Sequence, residues 1–486
     1  MQCFCGYSII QFCEKGKYRP KAVREGTCSM THINTKIQPY IVPGRRVHLS
    51  GIGGVSMCPL AEVLHGMSLK VQGSDMKDSA TLEHLRSLGI PVTVGHSAQD
   101  IEGAEFLIRT AAIHDDNPEI ASAHQKGIPV FERAEAWGAI MQRYENAVCI
   151  AGTHGKTTTT AMTTHIFMAA HADPTVMIGG TLPMLHSGYR VGKGDTIILE
   201  SCEYCNSFLH FFPTVAVVLN VDADHLDFFK DLDDIKHSFR RFAQLVPADG
   251  HIVANADDPG AMDALKGLSL FTFGLDHPAD CRGENLRWDH GAASFDIVIH
   301  GQVYTSLTLH TAGRHNVLNA LAAAAAAYLL GISGEAVKNG LEGFSGAGRR
   351  FEYKGEYNGA KIYDDYAHHP GELHALLTTA KSMGYQRVIC AFQPHTYSRT
   401  KSLFHDFVRE LRAVDKVVLA EIFAARETNT IGISSADLAK EIPGSIYCPT
   451  LTDVADELRR LAQPGDLILT VGAGDIYTVG EALVKG

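Results

Sequence analysis

A glycine-rich loop between an apolar strand and a threonine-rich helix is the feature that most restricts the fold. The strand pattern AVCIAG runs directly into THGKTTTT and then into the helical pattern TAMTTHIFMAA. Gly152 and Gly155 let backbone amides face a phosphate chain, and the helix N-terminus favours negative charge. Lys156 can reach the β- and γ-phosphates, while Thr157 offers a hydroxyl to Mg²⁺. Although the loop is shorter than the Walker pattern, its context predicts a nucleotide-phosphate site on an α/β sheet.

Strand and helix patterns alternate from about Arg45 to the C-terminus of this 486-residue chain, which indicates sheets with helices on their faces. We predict an α/β fold with three domains: an N-terminal Rossmann-like domain, a central P-loop domain with a mixed sheet, and a C-terminal Rossmann-like domain. The mixed sheet is predicted because DIVIHGQVYTSLTLH alternates as an antiparallel hairpin does. The predicted limits are a poorly ordered basic arm at 1–43 and domains at 44–145, 146–345 and 346–486.

Composition excludes several classes of function. The net charge is −11 without a basic stripe, so we expect no nucleic-acid binding. The chain has no apolar run of the length of a membrane span and no secretory signal, so we expect a cytoplasmic protein without membrane insertion. Its 11 cysteines show no regular spacing, and we expect reduced thiols. The pair Cys202 and Cys205 leaves a zinc or redox site open as a weaker alternative. Met30 is an alternative start to Met1.

Two side chains at strand ends are candidates for a metal site beside the phosphate loop. Glu200 ends the strand pattern TIILE, and His225 follows VAVVLNV within DADHLD. Ligands collect at the carboxyl ends of strands in open α/β sheets. Mg²⁺ prefers oxygen ligands, and a histidine between aspartates commonly hydrogen-bonds a loop. Structural roles for both residues therefore stay open.

A second glycine-rich turn, GIGG, opens the first predicted domain. Its glycines are Gly51, Gly53 and Gly54, and Asp75 follows at the end of the next strand pattern, about 20 residues on as in a dinucleotide fingerprint. Position 56 is serine where that fingerprint has its third glycine. The turn therefore predicts a ligand with a pyrophosphate but not NAD specifically, and a plain strand-to-helix turn is the alternative.

Two polar clusters follow strand patterns in the third predicted domain. They are DDYAHHP at 364–370 and FQPHTYSRT at 392–400, and the pair Arg349 and Arg350 precedes them. Both clusters would lie at the carboxyl edge of one sheet, where a cleft forms. Their density favours a functional site over a purely structural origin.

Taken together, the motifs resemble the Mur ligase family, ATP-dependent amide-forming enzymes of peptidoglycan precursor synthesis. The segments that carry the resemblance run in family order: HLSGIGG, GSD, NPE, AGTHGKTTTT, NVDADHLD, GRHNVLNA, GAGRRFE, DDYAHHP, FQPHTYSRT and VGAGDI. They most resemble the branch that joins L-alanine to the lactyl carboxylate of UDP-N-acetylmuramate through an acyl phosphate. The resemblance implies ATP as co-substrate, Mg²⁺ or Mn²⁺ as cofactor, and a monomer or weak homodimer.

The resemblance also implies roles for individual residues. The implied catalytic residues are Lys156, Glu200, His225, Arg349 and His368. The implied ATP-binding residues are Gly152, Thr153, His154, Gly155, Lys156, Thr157, Thr158, His315, Asn316 and Asn319. The implied UDP-sugar residues are Gly51, Gly53, Gly54, Ser74 and Asp75. Tyr366, His368, His395 and Arg399 match positions near the uronyl acceptor and the amino acid, and Thr157, Glu200 and His225 match metal-binding positions.

Two departures from the family pattern bear on these roles. Where many relatives have EADESD, this chain has ESCEYC, so cysteines stand at two acidic positions, 202 and 205. Thr396 stands where an arginine is frequent. Three other functions stay open: a ligase that joins a recycled peptide to UDP-N-acetylmuramate, a catalytically silent UDP-sugar-binding regulator, and a dehydrogenase, which leaves the phosphate loop unexplained.

Overall fold

The computed structural model describes residues 36–110, 112–226, 228–289, 291–425 and 427–485. Within these ranges the strands form three sheets, of five, ten and six strands, which follow one another along the chain. Helices connect the parallel strands, and the central sheet is mixed. The predicted α/β class and the mixed central sheet are confirmed. The domain limits given above stay predictions.

The first sheet is entirely parallel, in the order β3-β2-β1-β4-β5, which is the Rossmann arrangement. Its strands are β1 Arg46–Ser50, β2 Lys70–Asp75, β3 Val92–Val94, β4 Phe106–Arg109 and β5 Val130–Glu132. The helices are α1 Met57–Gly66, α2 Ala80–Ser87, α3 Pro118–Lys126 and α4 Arg133–Met141. The GIGG turn connects β1 to α1 at the carboxyl edge of this sheet.

Residues 36–43 are packed against the first sheet, and here the prediction of a poorly ordered arm was wrong. A turn of 3₁₀ helix covers Gln38–Tyr40, and Ile37 and Ile41 on either side of it are buried in the core. The guanidinium of Arg143 donates to the carbonyl of Ile41. Two isoleucines four residues apart present one apolar face, which the surrounding polar sequence obscured. The remainder of the predicted arm, 1–35, lies outside the described residues.

The central sheet has the order β15-β14-β13-β12-β11-β10-β6-β9-β7-β8. Its strands are β6 Asn146–Ala151, β7 Thr175–Leu182, β8 Ser187–Arg190, β9 Thr196–Glu200, β10 Val215–Val218, β11 His251–Asn255, β12 Phe271–Gly274, β13 Cys281–Asp289, β14 Ala292–Ile299 and β15 Gln302–Leu309. Pairing is antiparallel along β13-β14-β15 and between β7 and β8, and parallel elsewhere. The predicted hairpin is β14 with β15, so that prediction is confirmed.

Small side chains allow the helices of this second unit to pack closely. The helices are α5 Lys156–Ala169, α6 Leu232–Ala243, α7 Pro259–Ala264, α8 Arg314–Leu329 and α9 Gly334–Glu342, and 3₁₀ turns cover Pro183–Leu185 and Tyr204–His210. The alanines of α8 from Ala322 to Ala327 are all fully buried. A Cβ atom at Gly340 of α9 would lie 2.5 Å from the Cα of Ile166 in α5. Close helix contacts therefore fix α5, which begins at the phosphate loop.

The third sheet has the order β16-β17-β21-β18-β19-β20 and is parallel except for the β16–β17 pair. Its strands are β16 Glu352–Tyr357, β17 Ala360–Asp365, β18 Arg387–Phe392, β19 Lys416–Ala420, β20 Ile446–Cys448 and β21 Asp466–Val471. The helices are α10 Pro370–Ser382, α11 Tyr397–Ser402, α12 Phe404–Leu411, α13 Ser435–Glu441, α14 Leu451–Leu461 and α15 Tyr477–Val484. Among the described residues, no helix combines the length and the apolar character that crossing a membrane requires.

Candidate active site

The phosphate loop connects β6 to α5 in a conformation that requires glycine. Gly152 has φ +151° and Gly155 has φ +82°, values that side chains with a Cβ rarely adopt. Asn220, just after β10, holds the loop: its side-chain oxygen accepts the amide of His154 at 2.7 Å, and its carbonyl accepts the amide of Thr153 at 3.1 Å. The loop is therefore preorganised by a neighbouring strand end.

Lys156, the first residue of α5, lies in an ion pair beneath this loop. Its Nζ is 3.0 Å from a carboxylate oxygen of Glu203 and donates to the carbonyls of Gly152 and Thr153. Burial opposes the charge, but the carboxylates of Glu203 and Glu200 act in the other direction, and the pKa of Lys156 is raised. The ammonium is thus permanently charged and points into the loop.

Thr157 and Glu200 meet beside Lys156. The Thr157 hydroxyl donates to the Glu200 carboxylate at 3.1 Å, and the Gly179 amide donates to the other Glu200 oxygen at 2.7 Å. A Cβ at Gly179 would lie 2.7 Å from the Glu200 side chain, so the carboxylate is held closely. A hydroxyl and a carboxylate are hard oxygen donors of the kind Mg²⁺ prefers, and these residues fit such an ion.

His225 lies on the other side of Glu203. It follows β10 with φ +53°, its Nε2 is 3.9 Å from a Glu203 oxygen, and its ring packs on Tyr204 at a centroid distance of 4.7 Å. Glu203 therefore links Lys156 to His225. Glu203 was not among the residues predicted from the sequence, and its contact with the phosphate-loop lysine is seen only in the fold.

Cys202, one of the two cysteines that replace acidic residues of the family pattern, is a free thiol. Burial raises the pKa of Cys202 to about 11, so this side chain is a neutral thiol near pH 7. It does not replace the negative charge of an aspartate. Glu200 and Glu203 therefore carry the acidic character of this strand end.

The start of α8 lies against the phosphate loop and brings the predicted adenine-side residues there. The Asn316 amide donates to the carbonyl of Ala312 at 2.7 Å, and the Asn319 amide donates to Asn316 at 3.2 Å. A Cβ at Gly155 would lie 2.7 Å from the Asn319 side-chain oxygen. His315 lies at the first turn of the same helix, next to Gly313. Asn319 thus contacts the loop directly.

The GIGG turn is held by Ser74 and Asp75 at the end of β2. The amide of Gly53 donates to Asp75 at 2.9 Å, the amide of Gly51 donates to the carbonyl of Ser74 at 2.8 Å, and the amide of Gly54 donates to the carbonyl of Gly51 at 3.1 Å. Asp75 therefore fixes the turn in this structure. The five predicted UDP-sugar residues form one group at the carboxyl edge of the first sheet.

A buried acid beneath this turn was not found from the sequence. Glu119 is fully buried, and one of its oxygens lies 3.2 Å from Nε2 of His48, 3.3 Å from Nδ1 of His96, and accepts the hydroxyl of Ser50. Burial alone would raise its pKa, but hydrogen bonds and the charge of His48 lower it to about 2. His96 in turn contacts the hydroxyl of Ser74 at 2.9 Å. The NPE motif contains this glutamate, and it is the signal that could have pointed to it.

Arg349 is engaged within the third unit. Its guanidinium pairs with buried Asp364 at 3.0 Å, donates to the carbonyls of Gly472 and Gly474, and lies over the rings of Tyr366 and Tyr477. These contacts use most of its donors. Its predicted role of offsetting charge on a substrate therefore stays a prediction, for which the guanidinium would have to exchange partners.

His368 is a neutral ring at the carboxyl edge of the third sheet. Burial lowers its pKa to about 4. Its Nδ1 is 3.1 Å from the carbonyl of Tyr366 and 3.3 Å from Glu372, so Nδ1 carries the proton and Nε2 keeps a lone pair. The ring lies edge-on to His395 at 5.8 Å. These residues of the two clusters are therefore adjacent, as predicted from their strand ends.

Arg399 connects the third unit to the central one. Its guanidinium is 3.3 Å from both Nδ1 and the carbonyl of His395, and 3.1 Å from the carboxylate of Asp224, which precedes His225. Thr396, which replaces the frequent arginine, donates to Glu427 at 2.7 Å. The structure thus brings the predicted amino-acid residues and the predicted metal-binding residues together through Arg399.

Three potential metal ligands gather between the central and third units. Ligand-type atoms of His154, Asp222 and His369 lie within 4.8 Å of one another. However, Nδ1 of His369 accepts the amide of Gly371, and its Nε2 contacts the carbonyl of Ala223, both at 3.2 Å. Because both ring nitrogens of His369 are used, this cluster fits a contact between units better than a metal site.

Three family models match the chain in order. The Mur ligase family catalytic domain matches residues 46–145, the Mur ligase middle domain matches 150–327, and the Mur ligase glutamate ligase domain matches 349–474. Curated relatives named UDP-N-acetylmuramate–L-alanine ligase include one from Caldanaerobacter subterraneus subsp. tengcongensis, 44% identical over 91% of this chain and 97% of its own length. Another, from Lachnospira eligens, is 46% identical over 90% of this chain and 98% of its own length.

Solved structures agree with these matches. The UDP-N-acetylmuramate-alanine ligase of Thermotoga maritima superposes with a TM-score of 0.75 at 28% identity, covering 90% of this chain and 98% of that one. A murein peptide ligase from Psychrobacter arcticus has a TM-score of 0.66 at 22% identity, covering 91% and 98%, and shows the shared fold. The family predicted from the motifs is confirmed: the chain belongs to the Mur ligase family.

Proposed function

We propose that the protein joins L-alanine to UDP-N-acetylmuramate at the expense of ATP. The lactyl carboxylate attacks the γ-phosphorus of ATP, and ADP leaves. The amine of L-alanine then attacks the carbonyl of the acyl phosphate and loses a proton, and inorganic phosphate leaves as the amide forms. The observation that carries this proposal is the phosphate loop, in which Lys156 contacts Glu203 and Thr157 contacts Glu200, in a chain 44% identical to a ligase of that name.

Lys156 and the loop amides would bind the ATP phosphates. The ammonium is held charged beneath the loop, and the amides at the start of α5 add positive potential. Both act on charge that develops during phosphoryl transfer, where position and electrostatics dominate catalysis. Asn319, in contact with Gly155, and its neighbours Asn316 and His315 would bind on the adenine side.

Thr157, Glu200 and His225 would hold Mg²⁺, with Mn²⁺ as the alternative. The oxygen donors Thr157 and Glu200 fit either ion, and His225 lies beyond Glu203 in the same cluster. Such an ion would neutralise charge on the phosphate oxygens. Glu203 is the positioning residue between Lys156 and His225.

The third unit would bind L-alanine, whose amine attacks the acyl phosphate. Nε2 of neutral His368 can accept a hydrogen bond from the ammonium or amine of L-alanine, and His395, Tyr366 and Arg399 surround the same edge. An acyl phosphate hydrolyses in water, so the units must close over it before the amine attacks. We place this reaction in the cytoplasm, where ATP and UDP-sugars are available.

A ligase for a recycled peptide is the second candidate within the family. The solved murein peptide ligase shares 22% identity, whereas the curated relatives at 42–46% are named for L-alanine. Identity at this level favours the single amino acid. The GIGG turn and Asp75 would hold the UDP group in either case.

Phosphate release tests the proposal directly. Mg-ATP and UDP-N-acetylmuramate are supplied with L-alanine, with a tripeptide, or with no amine, and the product is identified by mass. We expect release that requires both the sugar nucleotide and L-alanine, with the alanyl adduct as product. Dependence on the tripeptide instead would assign the chain to peptide recycling, and no release under any condition would indicate a silent binding protein.

A further inference from the structure

We infer that Arg399 and Asp224 form a latch through which the third unit positions the loop of His225. The inference rests on the proposed function only for its kinetic consequence. Arg399 belongs to α11 of the third unit, and Asp224 belongs to the loop after β10 of the central unit. Arg399 is thereby a positioning residue for the metal side as well as a neighbour of the amino-acid side.

One oxygen of Asp224 joins the two units. Its Oδ1 accepts the Arg399 guanidinium at 3.1 Å and the backbone amide of His225 at 2.7 Å. The side chains of Asp224 and Arg399 are only 10% and 14% exposed, so water screens the pair little. A single atom, Oδ1 of Asp224, therefore connects the Arg399 guanidinium to the backbone of His225.

A second side chain of the third unit, His369, contacts Ala223, the residue before Asp224. Nε2 of His369 donates to the carbonyl of Ala223 at 3.2 Å, and His369 itself caps α10 by accepting the amide of Gly371. Consecutive residues of the loop are thus anchored to α10 and α11. Neither anchor can form unless the third unit is docked on the central one.

The conformation of the loop explains why it needs anchors. His225 has φ +53°, a left-handed conformation that costs a residue with a Cβ about 1 kcal/mol and persists only where neighbouring structure imposes it. The anchored carboxylate of Asp224 accepts the amide of this strained residue. Undocking would release the strain and leave the His225 ring free to leave Glu203.

Arg399 also contacts the site of the amino acid. The same guanidinium lies 3.3 Å from Nδ1 and from the carbonyl of His395. A change at His395 on binding of L-alanine is therefore passed to Asp224 by one rigid planar group. The latch couples occupation of the amine site to the arrangement of the metal side.

Hydrogen exchange of residues 219–226 tests the latch on the intact chain. Arg399→Gln removes the charge, Asp224→Asn removes its partner, and both are measured with Mg-ATP present. We expect exchange in this segment to rise at least about fivefold in either variant, the lower range of such couplings. Asp276→Asn breaks an exposed ion pair with Arg314 inside the central unit and is the control, which should leave the segment unchanged.

The double variant and a second anchor complete the test. Arg399→Gln with Asp224→Asn should exchange no faster than either single variant, because both remove one interaction. If Asp224→Asn fails to fold, His369→Asn keeps a capping side chain but loses the Ala223 contact, and should raise exchange in the same segment. Unchanged exchange in Arg399→Gln, or additive effects in the double variant, would overturn the latch.

Kinetics separate the latch from the proposed function. In Asp224→Asn we expect kcat to fall at least about tenfold with an unchanged KM for UDP-N-acetylmuramate, since that substrate binds at the first sheet. A variant that is merely destabilised would contain less active enzyme, but its change in exchange would not be confined to residues 219–226. If the parent chain has no ligase activity but Arg399→Gln still raises exchange at 219–226, the proposed function fails and the latch stands.

Discussion

Lys156 shows how one residue can serve both the chemistry and the fold. Replacing it with alanine removes the charge that we propose binds the ATP phosphates, so we expect ligation to fall at least about 10²-fold, as for loss of one preorganised charge. The change also leaves Glu203, whose side chain is 3% exposed, as an unpaired buried carboxylate. That should cost about 3 kcal/mol of unfolding free energy. Phosphate release and urea unfolding measure the two effects.

The double variant Lys156→Ala, Glu203→Gln distinguishes these roles. Because the glutamine is neutral, it removes the unpaired charge, and we expect most of the lost stability to return. Ligation should stay as low as in Lys156→Ala, since the double variant also lacks the lysine ammonium. Substantial ligase activity in the double variant would contradict the assignment of Lys156 to ATP.

His165 lies away from the site, and its burial predicts that the folded protein loses stability at acid pH. It packs edge-on against Phe344, with ring centroids 5.3 Å apart, and burial lowers its pKa to about 4. The unfolded chain therefore binds a proton below pH 6.5 that the folded chain does not. Its contribution to stability is complete above pH 6.5 and is lost as the pH falls towards 4.

Replacing His165 with phenylalanine keeps an aromatic ring and removes the titration. Between pH 7 and pH 5 we expect the parent to lose about 2 kcal/mol more than the variant, from 1.36 kcal/mol per unit of pKa shift. Urea unfolding at both pH values measures the difference. Equal losses in the two proteins would show that His165 is not the titrating group.

At the site, residue types and spacing predict individual side chains better than their partners. The predictions at Lys156, Thr157 and Glu200 rest on motif chemistry, and the structure places all three at one strand edge. Glu119 and Asn220 were not predicted from the sequence because each acts through contacts between segments far apart in the chain. The role of Asp224 was not predicted because its partner, Arg399, lies 175 positions away in the sequence.

At the scale of elements, strands with a buried apolar run were predicted, whereas the mostly polar strands β13 and β16 were not. β10 is buried throughout, and β6 and β9 each have a single end residue that is partly exposed. In contrast, β16 has the sequence EYKGEY and no buried residue, and β13 is buried only at its start. Their pairing depends on the neighbouring strands, since a mostly polar sequence gives no apolar period-2 signal.

The contact between α5 and α9 gives a prediction at the same scale. Gly340→Ala should destabilise the protein by about 1–3 kcal/mol, as overpacking does, because the new Cβ would lie 2.5 Å from backbone atoms of Ile166. Helix propensity alone predicts the opposite, a gain of about 1 kcal/mol. Thermal unfolding decides which effect dominates.

Gly66, the last residue of α1, is the matched control for that substitution. It is also helical, but a Cβ there meets no atom within 4 Å. Gly66→Ala should therefore leave stability unchanged or raise it slightly. If both variants were stabilised, the close packing of α9 on α5 would be contradicted.

At the scale of the whole molecule, the carboxyl ends of two sheets supply one site. β6, β9 and β10 end at the phosphate loop, Glu200 and the loop of His225, while β17 and β18 end at the clusters of His368 and His395. Hydrogen bonds from His369 and Arg399 connect these ends. The order of domains followed from the motifs, but the contacts between them required the three-dimensional arrangement.

Shortened chains test how much of the N-terminal segment the first sheet needs. A chain that starts at Met30 retains Ile37 and Ile41, which are at most 1% exposed, and we expect it to unfold and ligate as the full chain does. A chain that starts at Gly44 loses both side chains and the carbonyl that Arg143 binds. Burying each isoleucine contributes about 1.5–3 kcal/mol, so this shorter chain should be less stable by about 3 kcal/mol or more. Calorimetry of the three chains measures the difference, and equal stability of the shortest and the full chain would show that residues 36–43 do not contribute to the core.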